Sequence, residues 1–173
     1  MDTYECNVTK LDIREFARKR VPGELKWKIL EAARMTGSTM NTQHWRFVLI
    51  QDRSNLEKLA ADSTTGNWVE KADFAIIILI NPKVLGSRID GGRVLQAMEL
   101  AAWNFGIASG LYTGFKEGDL LRDFALPSDL KVDAILGFGY PRNKILGKKD
   151  RKPLEELAYL ERYGNPIKAG ELD

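Results

Sequence analysis

The sequence predicts an α+β fold in which helices pack against one sheet of about four strands. Three observations support this prediction. The run Phe74–Ile80 is continuously apolar, as is typical of a strand covered on both faces. A long helix between Asp90 and Gly106 has only a narrow polar stripe, so we expect it to be buried nearly all round. Helical and strand patterns succeed one another without an internal repeat, which favours a layered arrangement.

The first half of the chain contains three predicted helices and two predicted strands. A short helix is expected over Val8–Phe16, and a second, with helically spaced apolar residues, ends near Thr36. The apolar residues of Trp45–Gln51 predict a buried strand. A capping box over Ser54–Glu57 predicts the start of a third helix, and Ala72–Ile80 is the most apolar strand.

The second half is organised around the long central helix. Ser87 and Asp90 have the spacing of a weak capping box at its start, and Gly106 suits the left-handed residue that closes a helix. The small, glycine-bearing stretch Ile107–Phe115 is expected to leave the helix as a strand that allows a close approach to its backbone. A short helix stopped by Pro127 and the alternating strand Val132–Phe138 follow.

Composition limits the kind of protein. A chain of 173 residues is expected to form one domain, residues 1–173. A single cysteine, Cys6, excludes an intramolecular disulfide, and a single histidine, His44, leaves too few ligands for a structural zinc site. The longest apolar run is far shorter than the ~20 residues that span a bilayer. A net charge of +2 does not indicate nucleic acid. We therefore expect a cytoplasmic protein with neither a membrane nor a nucleic-acid partner.

The sequence offers few residues for catalysis by side chains. The sequence has one histidine, no carboxylate pair fixed by spacing, and neither a phosphate-binding P-loop nor the Gly-x-Gly-x-x-Gly fingerprint. We predict no catalytic side chain and no metal ligand. If the chain is an enzyme, a bound cofactor is expected to supply the chemistry.

Three polar segments are candidates for one cofactor site. Lys10 and Arg14 are spaced to lie on one face of a helix or its frayed end, and Ser38–Trp45 offers hydroxyls and amides between a helix and a strand. The basic run Lys148–Lys152 suits a phosphate and precedes a last helix expected to begin at Pro153. Each segment also has an ordinary explanation: a solvated basic face, the usual polarity of a loop, or a soluble tail.

Several short motifs follow one another in a characteristic order: Lys10–Phe16, Val21-Pro22, Ala32–Arg34, Ser38–Phe47, Gln96 with Leu100–Ala102, Gly114-Phe115, Gly139–Pro141, and Lys149 with Arg151 and Pro153. This series resembles the FMN-dependent nitroreductase family over most of the chain, from Lys10 to Leu157. Two positions depart from the family pattern, because Asp12 replaces a serine and His44 replaces a proline. His44 is expected to be an ordinary loop residue.

The resemblance implies a nitroreductase-like fold: a central, mostly antiparallel sheet of about four to five strands, flanked by helices, with a long buried central helix. It also implies a homodimer with the flavin at its interface, so that a partner chain would cover the rest of that helix. The short connection Asn81–Gly86 would leave the substrate face open.

The resemblance further implies an FMN site made of these residues: Lys10, Leu11, Asp12, Arg14, Ser38, Thr39, Asn41, Asn67, Leu111, Thr113, Gly114, Lys149 and Arg151. Lys10, Lys149 and Arg151 would hold the phosphate. Arg14 would lie near the pyrimidine edge and Asn67 on the polar edge of the ring. The serine, threonine and asparagine of the Ser38–Asn41 loop would come from the other chain, and the backbone around Gly114 would reach the reactive nitrogen.

The implied activity is an NAD(P)H-dependent flavin oxidoreductase with a ping-pong mechanism, in which a nitroaromatic, a quinone or a similar small aromatic acceptor is reduced. Two alternatives remain open. One is a non-catalytic flavin or nucleotide binder of the same fold, and the other is a cofactor-free scaffold with a basic tail. The sequence leaves open the physiological acceptor and the choice between NADH and NADPH.

Overall fold

The fold is built on a four-stranded antiparallel sheet, and the computed structural model describes residues 1–168 and 170–172. The strands are β1 (Arg46–Ile50), β2 (Phe74–Ile80), β3 (Ala108–Tyr112) and β4 (Lys131–Gly139), in the spatial order β1-β2-β4-β3. The helices are α1 (Thr3–Thr9), α2 (Gly23–Arg34), α3 (Arg53–Ala61), α4 (Ser87–Asn104) and α5 (Glu117–Asp123). Short 3₁₀ turns occur at Thr39–Asn41, Asn67–Lys71 and Leu154–Glu156.

Strand β2 is buried along its whole length and separates two apolar cores. Its odd-numbered residues pack with Leu56 and Leu59 of α3 and Leu120 of α5. Its even-numbered residues pack with Ile29 of α2 and Met98 of α4. The prediction of an α+β layer fold with a central strand covered on both faces is therefore confirmed, because side chains alternate across a strand and both sets are apolar.

The central helix α4 ends as predicted but begins differently. Gly106 has a left-handed φ of 71°, as expected for the residue that closes a helix. At the start, Gly86 is the N-cap with a φ of 77°, and none of the described side chains caps the helix. The predicted Ser87–Asp90 capping box is wrong, because the Asp90 carboxylate accepts a hydrogen bond from the Thr39 backbone instead.

Within one chain, α4 is buried on one face only. Val94, Met98 and Ala102 are fully buried, whereas Ile89 on the opposite face is 71% exposed. The prediction of burial nearly all round is therefore not met by the single chain. The sequence pattern does not say which molecule covers a face, because apolar residues in a subunit interface have the same pattern as those in a core.

The predicted helix over Val8–Phe16 is wrong. Helix α1 ends at Thr9, and the following residues run in extended form beside β3. The Ile13 amide donates a hydrogen bond of 2.8 Å to the Ser109 carbonyl. Because β3 is at the edge of the sheet, its outer backbone groups need partners, and this segment supplies them. Lys10 and Arg14 consequently do not share a helical face.

Two other helix starts also differ from prediction. Helix α3 begins at Arg53 with Asp52 as its N-cap, so the predicted Ser54–Glu57 capping box lies inside the first turn and is wrong. Pro153 precedes only the 3₁₀ turn Leu154–Glu156. Leu154 and Leu157 there are exposed, and a longer helix would have no core to pack against in the described chain.

Across residues 1–168 and 170–172, none of the helices combines the length and the apolarity needed to span a bilayer.

Candidate functional site

The outer edge of β3 carries the first group of predicted site residues. Asp12 forms an isolated parallel bridge with Ser109, which positions the segment from Lys10 to Arg14 along the strand. The Lys10 ammonium is buried and lies 2.6 Å from a carboxylate oxygen of Glu99 on α4. Lys10 is also ion-paired with Asp12, whose side chain is half exposed. The predicted phosphate ligand Lys10 is thus already engaged by two carboxylates.

Arg14 and Asn67 lie at the same end of this edge. The Arg14 guanidinium carbon is 5.6 Å from the centre of the Trp68 ring, an approach typical of a cation–π contact. Gly110 of β3 makes the contact possible, since a Cβ there would lie 2.8 Å from Trp68 Cη2 and 2.9 Å from the Ile13 carbonyl oxygen. Asn67 adjoins Trp68 and is exposed. The cation and the amide predicted for the flavin's polar edge therefore both adjoin Trp68.

The end of β3 packs against the loop that leads to Asn67. The Gly114 carbonyl accepts hydrogen bonds from the amides of Thr64 at 2.8 Å and Thr65 at 3.3 Å. A Cβ on Gly114 would lie only 2.5 Å from Thr65 Oγ1, so only glycine fits without movement. Thr113 precedes it and is exposed. Leu111 is half-buried within β3, opposite Leu136 of β4.

The C-terminal cations approach the same region from the other side. Lys149 donates a hydrogen bond to the Asn7 carbonyl at the end of α1. Gly147 packs on Leu11, because a Cβ on this glycine would lie 2.9 Å from Leu11 Cδ1. The tail therefore passes beside the segment that contains Lys10. Arg151 is exposed, and its guanidinium donates to the carbonyl of its neighbour Asp150 at 2.7 Å.

Ser38, Thr39 and Asn41 are located at the opposite end of α4. The Thr39 amide donates a 2.8 Å hydrogen bond to Asp90 at the start of the helix, whereas Glu99 holds Lys10 near its end. Nine residues of α-helix separate these two anchors by ~13.5 Å along the axis. Within one chain the structure does not bring this loop together with the other predicted site residues.

His44 is a structural residue whose role the sequence analysis missed. It is buried, its Nε2 lies 3.2 Å from Asp90 Oδ2, and its Nδ1 accepts a 3.3 Å hydrogen bond from the Asn81 amide. The expectation of an ordinary loop residue is wrong. Burial raises the pKa of Asp90, but the hydrogen bonds from Thr39 and His44 outweigh burial and leave the pKa below its usual value.

Glu99 was also missed. The available signal was a carboxylate among the apolar residues of the central helix, since a buried acid requires a cationic partner. The sequence does not identify that partner, because Lys10 is 89 positions away.

A broad surface cavity of about 1000 Å³ has a different set of lining residues. It is lined by Phe16, Ala17, Arg18, Lys19, Arg20, Gln51, Arg53, Glu57, Glu70, Lys71, Ala72, Asp73 and Arg142. The site predicted from the sequence shares none of these residues. Volume alone therefore does not locate the predicted cofactor site.

Comparison with known proteins supports the resemblance to nitroreductases that the sequence motifs indicate. Residues 10–83 match the model of the Nitroreductase family. Over this stretch the chain is therefore similar to nitroreductases. An Archaeoglobus fulgidus protein with the provisional name NADH dehydrogenase/NAD(P)H nitroreductase is 28% identical over 145 residues, covering 79% of this chain and 83% of that protein.

Solved structures of nitroreductases have the same fold. A nitroreductase family protein from Clostridium difficile 630 has 26% identity and a TM-score of 0.83, covering 94% of this chain and 99% of that chain. An FMN-dependent nitroreductase from Clostridium difficile R20291 has 20% identity and a TM-score of 0.82, covering 90% and 96%. The nitroreductase-like fold expected from the motifs is therefore confirmed.

Proposed function

We propose that this chain is a member of the nitroreductase family and an FMN-dependent oxidoreductase. It takes reducing equivalents from NAD(P)H and reduces a nitroaromatic, a quinone or a similar small aromatic acceptor. The arrangement of Arg14, Asn67 and Gly114 around the end of β3 is the observation that carries this proposal. It combines the Arg14 guanidinium, the Asn67 amide and the glycine backbone at Gly114. A cation and an amide can bind the polar edge of a flat ring, and a glycine backbone allows a close approach.

The ring end of this site fits a flavin. Arg14 is exposed, so the N–H groups of its guanidinium are available to an anionic ring edge while the guanidinium carbon lies 5.6 Å from the centre of the Trp68 ring. Asn67 offers both a donor and an acceptor. Thr113 is exposed and Gly114 is half-buried, with Thr64 and Thr65 packed where a Cβ of Gly114 would stand, and the exposed backbone at Thr113 supports its predicted approach to the reactive nitrogen.

At the phosphate end, the residues of the tail fit an anion. Lys149 lies against the end of α1, beside the segment that contains Lys10 and Leu11. The exposed Arg151 guanidinium has further N–H groups besides the one that donates to Asp150. Lys149 and Arg151 would hold the phosphate, with Leu11 contributing contact area.

When bound, FMN would supply the hydride chemistry that links NAD(P)H to the acceptor, in two separate half-reactions. The protein positions the ring and stabilises charge. Arg14 would provide a fixed positive charge beside the ring edge, and a fixed charge of this kind would stabilise an anionic reduced ring. No side chain of this chain is assigned as a nucleophile or general acid.

We further propose a homodimer with a site completed by both chains. Helices α1 and α4 contact each other and leave Tyr4, Val8 and Ile89 exposed at 75%, 46% and 71%. A partner on this surface would cover the open face of α4. It would also present its own Ser38, Thr39 and Asn41, which one chain alone leaves at the far end of α4. Sedimentation equilibrium should give twice the chain mass, and a stable monomer would contradict this arrangement.

A spectroscopic experiment tests the proposed activity. Purified protein should be yellow, and its flavin absorbance should bleach when NADH or NADPH is added without air. Colour should return when a quinone or a nitroaromatic is added. Yellow protein that does not bleach would favour a non-catalytic flavin binder of the same fold. Colourless protein that does not take up FMN would favour a cofactor-free scaffold with a basic tail.

The phosphate ligands are tested by substitution. Arg151→Ala should weaken FMN binding by ~1.5–3 kcal/mol, the loss expected for one charged hydrogen bond. Arg162→Ala, which removes another exposed guanidinium near the C-terminus, is the matched control and should leave the affinity unchanged. Equal affinities for the two variants would remove Arg151 from the site.

A further inference from the structure

A buried carboxylate, Glu99, occupies the position from which Lys10 would otherwise bind an anion. Glu99 Oε1 lies 2.6 Å from Lys10 Nζ and accepts a 3.1 Å hydrogen bond from Ser109 Oγ. Both Lys10 and Glu99 have side chains that are at least nine-tenths buried. Asp12 adds a second ion pair to the same ammonium. The cluster thus combines one cation with two anions.

This balance opposes binding of a phosphate at Lys10. An ammonium has three N–H donors, of which Glu99 and Asp12 already take two. A phosphate monoester carries about −1.5 to −2 charges near neutral pH, so it would meet two carboxylates beside a single cation. The cluster therefore disfavours a dianionic group and has no corresponding effect on a neutral ribityl chain.

The two carboxylates are not equally able to move away. The Asp12 side chain is 49% exposed and can turn into solvent. The Glu99 side chain is 5% exposed, and its hydrogen-bond partners among the described residues are Lys10 and Ser109. Separating Glu99 from Lys10 would leave an unpaired charge in the interior, which is strongly destabilising. Glu99 is therefore the permanent member of the cluster.

We propose that Glu99 is a specificity-determining residue that prevents Lys10 from binding the flavin phosphate. The site consequently distinguishes FMN poorly from riboflavin, which has the same ring and ribityl chain but no phosphate. The inference rests on the proposed flavin-dependent function and adds to it the class of flavin that the chain accepts. Tail cations still attract a phosphate, while Glu99 and Asp12 repel it.

The test is a pair of binding titrations with flavin-free protein, FMN and riboflavin, followed by quenching of flavin fluorescence. The ratio of the two dissociation constants should be within roughly tenfold for the natural chain, where tenfold corresponds to ~1.4 kcal/mol. In Glu99→Gln this ratio should shift toward FMN by about tenfold or more. The whole shift should come from tighter FMN binding. Glu24→Gln, which removes an exposed carboxylate from the first turn of α2, should leave the ratio unchanged.

A second variant keeps the test valid if Glu99→Gln does not fold. Asp12→Ser removes the half-exposed carboxylate and should shift the ratio in the same direction by a smaller factor. Unchanged ratios in the folded variants, or equal changes in both flavin affinities, would overturn the role of Glu99. A natural chain that prefers FMN by several hundredfold would overturn it too. If neither flavin binds, the proposed function itself is wrong, and the inference is wrong with it.

Discussion

His44 Nε2 lies 3.2 Å from Asp90 Oδ2, and the two side chains are almost completely buried. The same aspartate oxygen accepts the Thr39 amide at 2.8 Å, while His44 Nδ1 accepts the Asn81 amide. Because Nδ1 accepts a hydrogen bond, the proton on Nε2 is the one directed at Asp90. This chain of contacts fixes the Ser38–Gln43 loop to the start of α4.

We predict that Asp90→Asn destabilises the protein by about 1.5–3 kcal/mol, because it weakens hydrogen bonds made to a buried charge. The measurement is the free energy of unfolding in urea at neutral pH. Asp129→Asn, an exposed aspartate in the turn before β4, is the matched control and should change stability by less than ~0.5 kcal/mol. Similar losses for both variants would mean that the Asp90 contacts contribute nothing specific.

The contribution of Asp90 should depend on pH. Hydrogen bonds hold the pKa of this carboxyl below its usual value, so the folded state binds its proton less readily than the unfolded chain does. The stabilisation is fully present above the unfolded pKa of about 3.9 and is lost as the pH falls through the lower folded pKa. The stability difference between the natural chain and Asp90→Asn should therefore be constant from pH 5 to 7 and shrink below about pH 4. A difference that grows in acid would contradict this sign.

Asp62 is a buried aspartate with the opposite behaviour. Burial raises its pKa, and the nearby carboxylates of Asp123 and Asp119 raise it further against the smaller effects of Arg122 and Lys116. Its Oδ2 is buried without a hydrogen-bond partner among the described residues. The ionised form is therefore unfavourable in the fold.

We predict that Asp62→Asn stabilises the protein by about 0.5–2 kcal/mol at pH 7. A raised pKa in the folded state means that the cost is present at high pH and is relieved as the pH falls through the folded pKa. The gain from Asp62→Asn should accordingly disappear by about pH 3, below the unfolded pKa of about 3.9. Urea unfolding across this pH range checks the prediction, and a loss of stability at pH 7 would show that the charged form makes a favourable contact.

Tyr112 provides a test based on its hydroxyl group. The Tyr112 hydroxyl is buried and has no hydrogen-bond partner in the described chain, and burial raises its pKa. Removing an unsatisfied polar atom should be neutral or stabilising, whereas loss of a satisfied buried hydroxyl costs about 1 kcal/mol. Tyr112→Phe should therefore unfold at the same or a higher urea concentration. Tyr159→Phe, which removes a hydroxyl that donates to the Glu156 carbonyl, is the comparison variant. A clear loss in Tyr112→Phe would indicate a partner such as buried water.

The sequence was most informative about β2 and the end of α4. The continuous run of isoleucines predicts a strand that is buried on both faces, because side chains alternate between the faces and all of them are apolar. The left-handed closure at Gly106 is similarly local, since only glycine adopts that conformation without steric cost. The segment from Lys10 to Phe16 was misassigned as helix because its spacing fits a helix, while the free edge of β3 draws it into extended form.

The sequence by itself determined the layered α+β fold and the candidate flavin residues, because helix and strand periods and family motifs depend on neighbours in the chain. Only the tertiary structure decided the polar partners of Lys10, a candidate flavin residue, and of His44. It paired Lys10 with Glu99 across 89 positions and His44 with Asp90 across 46. Electrostatic interactions depend on distance in space and on burial, and neither can be inferred from separation along the chain.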